Sequence, residues 1–247
     1  MSEPVILVSA QETELTSRGL LQRLQDATTG DARRRRLVIE AEAMTFEPGQ
    51  VGELNSLLRT FIEEYRDSDD PQDIVAVGSA IRKYVAAMPL ADLPGVAALL
   101  DAGHKAQAPL SVELEICKMV FRKLLANPPG DKQEFPELDW CLTDVVRVYA
   151  NDRLLSREKY GATALNAVLA LVLLNGDRIA SVAQQLRALK AGWFRELAAR
   201  QARNTSRDLM QRFQDGKADF SARNLERLAA ELEQSSGGAD AGTTSPR

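Results

Sequence analysis

The chain has 247 residues, 45% of them hydrophobic and 27% charged, with a formal net charge of −4. That is enough chain for one large domain or two small ones without covalent staples. Two cysteines and a single histidine exclude a zinc cage, a disulfide framework and a multi-histidine metal site. An acidic balance, with a pI near 5.3, excludes a whole-surface electrostatic fit to nucleic acid or anionic lipid.

Aromatics make up only 5% of the chain, and Ala, Leu, Val and Arg dominate, which favours helices over strands. Residues 1–12 are weakly patterned and read as a flexible N-terminus. Val5–Val8 has strand character but no evident partner, and without a basic run before it no secretory signal is expected. Residues 13–47 read as N-terminal capping helices. Leu15, Leu20, Leu21 and Leu24 mark the first, ending before Thr28-Thr29-Gly30; Leu37, Ile39, Ala41, Ala43 and Met44 mark the second. That second segment also alternates as a strand would, but is read as a helix. The Arg33–Arg36 run before it reads as a solvated helix start, because four consecutive helical residues point all round the axis.

Val51, Leu54, Leu57, Leu58, Phe61, Ile62 and Tyr65 recur at three and four residues, an amphipathic helix. Asp70-Pro71 opens the next, with Asp70 as cap and Pro71 at the first position, where no N–H is needed. Its stripe is Ile74, Val77, Ala80, Ile81, Tyr84, Val85 and Met88, and Pro89 stops it. Further helices are expected at about 91–102, 110–126, 135–150, 156–175, 178–190, 192–214 and 221–233. Gly103, Gly130 and Gly176 follow helix ends, where a left-handed residue is suited. The short connections predict that successive helices pack as antiparallel neighbours. The longest apolar stretch, Ala162–Leu174, falls short of the roughly 20 residues that cross a bilayer and reads as a core helix. Ser235–Arg247 has no large apolar residue and reads as a disordered tail.

The helical segments repeat. Shifting Ile74–Met88 by 40 residues places Ile74 on Leu114, Val77 on Cys117, Ile81 on Phe121 and Arg82-Lys83 on Arg122-Lys123. A shift of 45 places Leu93, Val96, Ala97 and Leu100 on Leu138, Cys141, Leu142 and Val145. A shift of 44 then places Leu138, Leu142 and Val145 on Val182, Leu186 and Leu189. In this period and in its two helices per unit, the chain resembles the HEAT-like and armadillo-type α-helical repeat proteins over residues 48–214. The resemblance implies an all-α, right-handed α-solenoid of about four antiparallel helix pairs. Helical end caps would flank it, one of them the C-terminal helix at 215–234, with disordered termini at 1–12 and 235–247. An irregular all-α bundle is the alternative.

No dinucleotide fingerprint, P-loop, nucleophile elbow or zinc-helix motif occurs. His104 follows a helix end and reads as a turn residue, with a general base oriented by Asp101 as the other reading. Cys117 and Cys141 sit in apolar patterns as small reduced core residues, which points to the cytoplasm. Glu63, Glu64, Asp67, Asp69 and Asp70 crowd one helix end but lack calcium-loop spacing, so a solvated loop is expected. Accordingly no catalytic residue, cofactor or metal is expected.

The candidate partner-binding residues are cations. Arg82, Lys83, Arg122 and Lys123 occupy equivalent places in successive units and would stack into a basic ladder, or else simply offset helix dipoles. Arg195, Arg200, Arg203 and Arg207 form a basic row beside Trp193 and Phe194. Phe194, Leu197, Ala198, Leu209, Met210 and Phe213 read as the core stripe, with the aromatics buried. Residues 40–73 hold ten acids against two bases, and residues 178–212 eight bases against two acids, an asymmetry that would suit head-to-tail self-association. The expected function is a non-enzymatic, cytoplasmic adaptor or scaffold that binds a protein partner or itself, without membrane. The alternative is a nucleic-acid-associated protein contacting phosphates through the arginine rows, and a helical enzyme with an acidic site ranks third.

Overall fold

A computed structural model of the chain describes residues 16–27, 30–88, 95–97, 99–100, 110–132 and 135–234. The expected strand at Val5–Val8, the expected tail at 235–247, His104 and Gly103 lie outside the described residues. Every regular element among the described residues is helical. In chain order these are α1 (Ser17–Asp26), α2 (Ala32–Ala43), α3 (Pro48–Tyr65), α4 (Pro71–Ala87), α5 (Leu110–Ala126), α6 (Pro136–Tyr149), α7 (Glu158–Leu174), α8 (Ile179–Arg187), α9 (Gly192–Arg212) and α10 (Asp219–Glu233). Residues 95–97 and 99–100 are also helical. No helix among the described residues is long and apolar enough to cross a membrane.

Local chemistry sets the helix starts. Thr16 accepts from the Gly19 N–H at 3.2 Å, Asp31 from Arg33 at 2.8 Å and Asp70 from Gln72 at 2.9 Å. Each satisfies an N–H that the helix itself leaves open. Pro48, Pro71 and Pro136 sit at the first positions of α3, α4 and α6. The ambiguous stretch Leu37–Phe46 resolves as helix to Ala43, because α2 buries Arg34, Leu37, Val38 and Ala41 at helical spacing. The glycine expectation is corrected. The described positive-φ glycines are Gly30 (φ 88°) and Gly216 (φ 82°), neither of them at an expected site. Gly176 instead opens a 3₁₀ turn, Gly176–Arg178, and is buried.

Packing follows a pattern that adjacency along the chain does not dictate. Consecutive helices pair as α1 with α2, α3 with α4, α6 with α7 and α9 with α10. Beyond these pairs, α2 rests on α4, α4 on α5, α5 on α7 and α7 on α10. Successive helices thus pack on one another within pairs, and the contacts between pairs pass over differing numbers of intervening helices. Several cross-links join residues 36 to 44 positions apart, as in Arg82–Glu42, Tyr149–Glu113, Cys141–Ala97 and Gln185–Val146.

Helix α7 is the centre of the core. Residues 167–174 are buried without a break, between α5, α6 and α10. Each large apolar side chain removed from water there contributes about 1.5–3 kcal/mol. Asn166, the polar interruption in this stretch, donates to the carbonyl of Ala162 at 2.8 Å. Packing also runs across residue 214. Helix α10 rests on α7 and α8 as well as on α9, so it is a member of the helix row and no appended piece. Ser221 on α10 donates to the Pro129 carbonyl at 3.0 Å, and buried Asn224 donates to the Val172 carbonyl at 3.2 Å.

Asn224 lies directly against Gly176, where an added Cβ would stand 2.6 Å from its Oδ1. Gly176→Ala is therefore expected to push Asn224 off the end of α7 and to destabilise the chain by about 2 kcal/mol, as overpacking does. Urea unfolding followed by circular dichroism measures this, and an unchanged midpoint would show that the contact relaxes without loss.

Candidate functional site

The eight cations singled out by sequence divide into those used inside the chain and those left at its surface. Arg82 holds the Glu42 carboxylate with two hydrogen bonds, at 2.6 and 2.8 Å. It also donates to Ser79 at 3.0 Å and lies 3.5 Å from Glu115 on α5. The Arg82 hydrogen bond holds the Glu42 carboxyl below its ordinary range. Lys83 reaches back to α2, donating to the carbonyls of Glu42 and Met44, with its ammonium 5.1 Å from the Phe46 ring centre. Lys123 does the equivalent one unit later, donating to the carbonyls of Val85 (2.8 Å) and Ala86 (3.1 Å) at the end of α4. Burial draws both lysines below the ordinary lysine pKa.

Of the four cations of the expected ladder, Lys83 and Lys123 make contacts that reach back within the chain. Each lysine covers the unsatisfied carbonyls and the negative end of the preceding helix in the row. Arg122, the equivalent of Arg82, is exposed. In the second row, Arg203 pairs with Glu233 of α10. Arg200 and Arg207 are exposed, and Arg195 is partly buried. So the row does not lie free as a unit.

The arginine run at the start of α2 requires a correction. Arg34 is buried, pairs with Glu64 of α3 and lies 5.5 Å from the Phe61 ring centre. Arg35 bridges to Asp73 at 2.5 Å and Asp70 at 3.4 Å, and Arg36 bonds Glu40 at 2.8 Å. Arg33 and Arg36 keep the solvated role expected of all four, both lying exposed, Arg36 with only a contact to Glu40 on its own helix. Much of the acidic 40–73 region is answered by these arginines and by Arg82. Among the C-terminal bases, Arg178 pairs with Asp139, Arg187 with Glu231 and Arg212 with Asp208. The charge asymmetry is therefore largely met within one chain.

Sequence reasoning missed the surface apolar residues. Ile39 and Val75 are 42% and 58% exposed and stand together in a groove of about 650 Å³ between α2 and α4, beside Arg35, Arg36 and Gln72. Trp193 is 52% exposed, correcting the expectation that it is buried. It meets Phe194 edge-on and lines a groove of about 580 Å³ with Leu155, Leu165 and Leu197. Met210, read as core, is 48% exposed. The signal was present in the sequence: Ile39 and Met210 fall off the 3.6-residue stripes of their helices.

Titratable groups in the core are paired rather than poised. Glu113 is buried and accepts the Tyr149 hydroxyl, whose pKa burial and this contact push up. Cys117 is buried, and burial raises its thiol pKa, which makes it a poor nucleophile. Among the described residues no three His, Cys, Asp or Glu side chains converge as a metal site would require.

Two outcomes follow. Lys83→Met and Lys123→Met are each expected to lower unfolding stability by about 1 kcal/mol, measured in urea, because each strands helix-end carbonyls. Glu42→Gln is expected to lose on the order of 1 kcal/mol at pH 7. Since the folded pKa of Glu42 is lowered, its contribution is complete above the unfolded value and is lost as pH falls through the folded one. The gap between variant and parent should therefore close on acidification. A gap that stays constant from pH 7 to strongly acidic pH would contradict this.

Comparison of the chain with family models, with curated proteins and with solved structures found no match, so the functional argument rests on the residues themselves.

Proposed function

We propose that the chain is a HEAT-like α-solenoid that acts as a non-enzymatic protein-binding adaptor in the cytoplasm. The row α2, α4, α5, α7 and α10, with cross-links about 40 residues apart, supports the repeat reading. Two buried cysteines outside any disulfide suit a reducing compartment.

The observation that carries the function is the α2/α4 groove. Two large aliphatic side chains stand in water there on the row that otherwise buries such residues, and paired charges frame them. An apolar strip rimmed by polar groups is the usual composition of a partner-binding surface. Such a surface takes the apolar face of a partner helix or a second copy of the chain. Contact with nucleic-acid phosphates through the arginine rows has less support, because Arg82, Lys83, Lys123 and Arg203 are engaged within the chain.

A photo-crosslinking residue placed at Val75 or Ile39 is expected to capture a protein, or a second copy, in stoichiometric yield from cells. Val75→Asp and Ile39→Asp are expected to reduce recovery of that partner at least about ten-fold, as losing a central apolar anchor does. Their melting temperatures should stay near the parent's because both sites are exposed. Undiminished recovery with Val75→Asp would reject this groove as the binding surface.

A further inference from the structure

The geometry points to a second docking site, in the groove between α9 and α10, for an acidic amphipathic helix of a protein partner. The inference rests on the protein-binding reading above and adds the chemistry of what is bound. The groove measures about 640 Å³ and has Met210 and Ala222 in its lining. Arg207 stands on the α9 side and Arg223 and Arg227 on the α10 side, with Glu226 as the one acid among its lining residues. All three arginines are exposed. Among the described residues none is in an ion pair; Arg223 donates only to the main-chain carbonyl of Asp219, at 3.2 Å.

Their neighbours behave differently. Arg203 on the same helix pairs with Glu233, and Arg212 with Asp208. So three arginines outside any close ion pair line the same groove as Met210, Arg227 near enough to Asp177 to help hold its carboxyl below the ordinary range. Arg223 and Arg227 are one helical turn apart, so they meet acids spaced by a turn on a facing helix. Met210 is flexible and polarisable, suited to accept varied apolar side chains of that helix.

Charge complementarity selects the occupant. Three cations against one anion attract an acidic ligand and repel a basic one, which sets specificity more than affinity. The whole chain carries −4, so attraction of an acidic peptide cannot come from its general field and must be local. The apolar lining separates this site from one built for phosphate alone, since a nucleic-acid backbone brings nothing to cover Met210.

The test uses the full chain and two fluorescein-labelled 18-residue helical peptides with the same leucine positions. One carries Glu and the other Lys at the polar positions. The acidic peptide is expected to bind saturably by anisotropy, to weaken about ten-fold or more from low to high salt, and to bind better than the basic peptide. Arg223→Glu with Arg227→Glu should reverse that preference, and Met210→Asp should weaken the acidic peptide at least about ten-fold. Lys159→Glu, an exposed charge reversal on α7 outside both grooves, should leave peptide affinity unchanged. No binding of the acidic peptide, equal binding of both, or indifference to the α9/α10 substitutions would overturn the inference. Displacement of the peptide by a DNA or RNA duplex, sensitive to the arginine reversals and not to Met210→Asp, would overturn it in favour of a phosphate site. If the peptide fails while crosslinking from Val75 still captures a partner, only this inference falls; if both fail, the adaptor reading falls too.

Discussion

The contacts on which the rest depends are those that tie each helix of the row to the one before it. A helix ends with carbonyls that have no intrahelical donor, and burying that end against a neighbour leaves them without water. Lys83 answers this at the end of α2 and Lys123 at the end of α4. Arg82 adds a lateral tie to Glu42 and a longer one to Glu115, so one residue touches the members of the row on both sides of its own helix. Non-directional apolar packing alone would let adjacent helices slide by a turn. The paired charges and capped carbonyls prefer one register.

The same economy of charge explains what is left at the surface. Arg34, Arg35, Arg82, Arg178, Arg187 and Arg203 are engaged with acids on other helices. The acid-rich stretch 40–73 and the base-rich stretch 178–212 therefore do not amount to two opposed fields. Against this background an unpaired arginine or an uncovered aliphatic side chain stands out. Ile39 with Val75, Trp193, and Met210 with its arginines each mark a groove between two helices, where a partner helix would find both an apolar lining and a polar frame.

Much of the fold was legible in the sequence because helices announce themselves locally. The stripe of α4, the Asp70-Pro71 start and the apolar run of α7 are set by residues within four positions of one another. The 40-residue echo of Arg82-Lys83 in Arg122-Lys123 was equally visible; Lys83 and Lys123 make similar contacts to a preceding helix, while Arg122 is exposed where Arg82 is paired. What it did not reveal was direction. The lysines point back into the chain, and nothing in a pair of adjacent cations says whether their partner is a helix end or another molecule. Arg34 and Arg35 were misread for the same reason: their carboxylates lie 30 and more residues away, on α3 and α4. Trp193 was misplaced because an aromatic beside a core residue such as Phe194 carries no mark of which of the two faces inward.

By itself, then, the sequence determined an all-helical chain, most of its helix boundaries and its buried cysteines. Those properties follow from backbone hydrogen bonding and side-chain periodicity over one or two turns. Tertiary structure alone decided that α10 joins the row beyond α7, that many of the cations serve the chain's own helix ends and acids, and that Ile39 and Val75 come together in one groove. Each of these depends on which helix faces which across some 40 residues, and loop lengths and composition leave that choice open until the apolar faces are buried together.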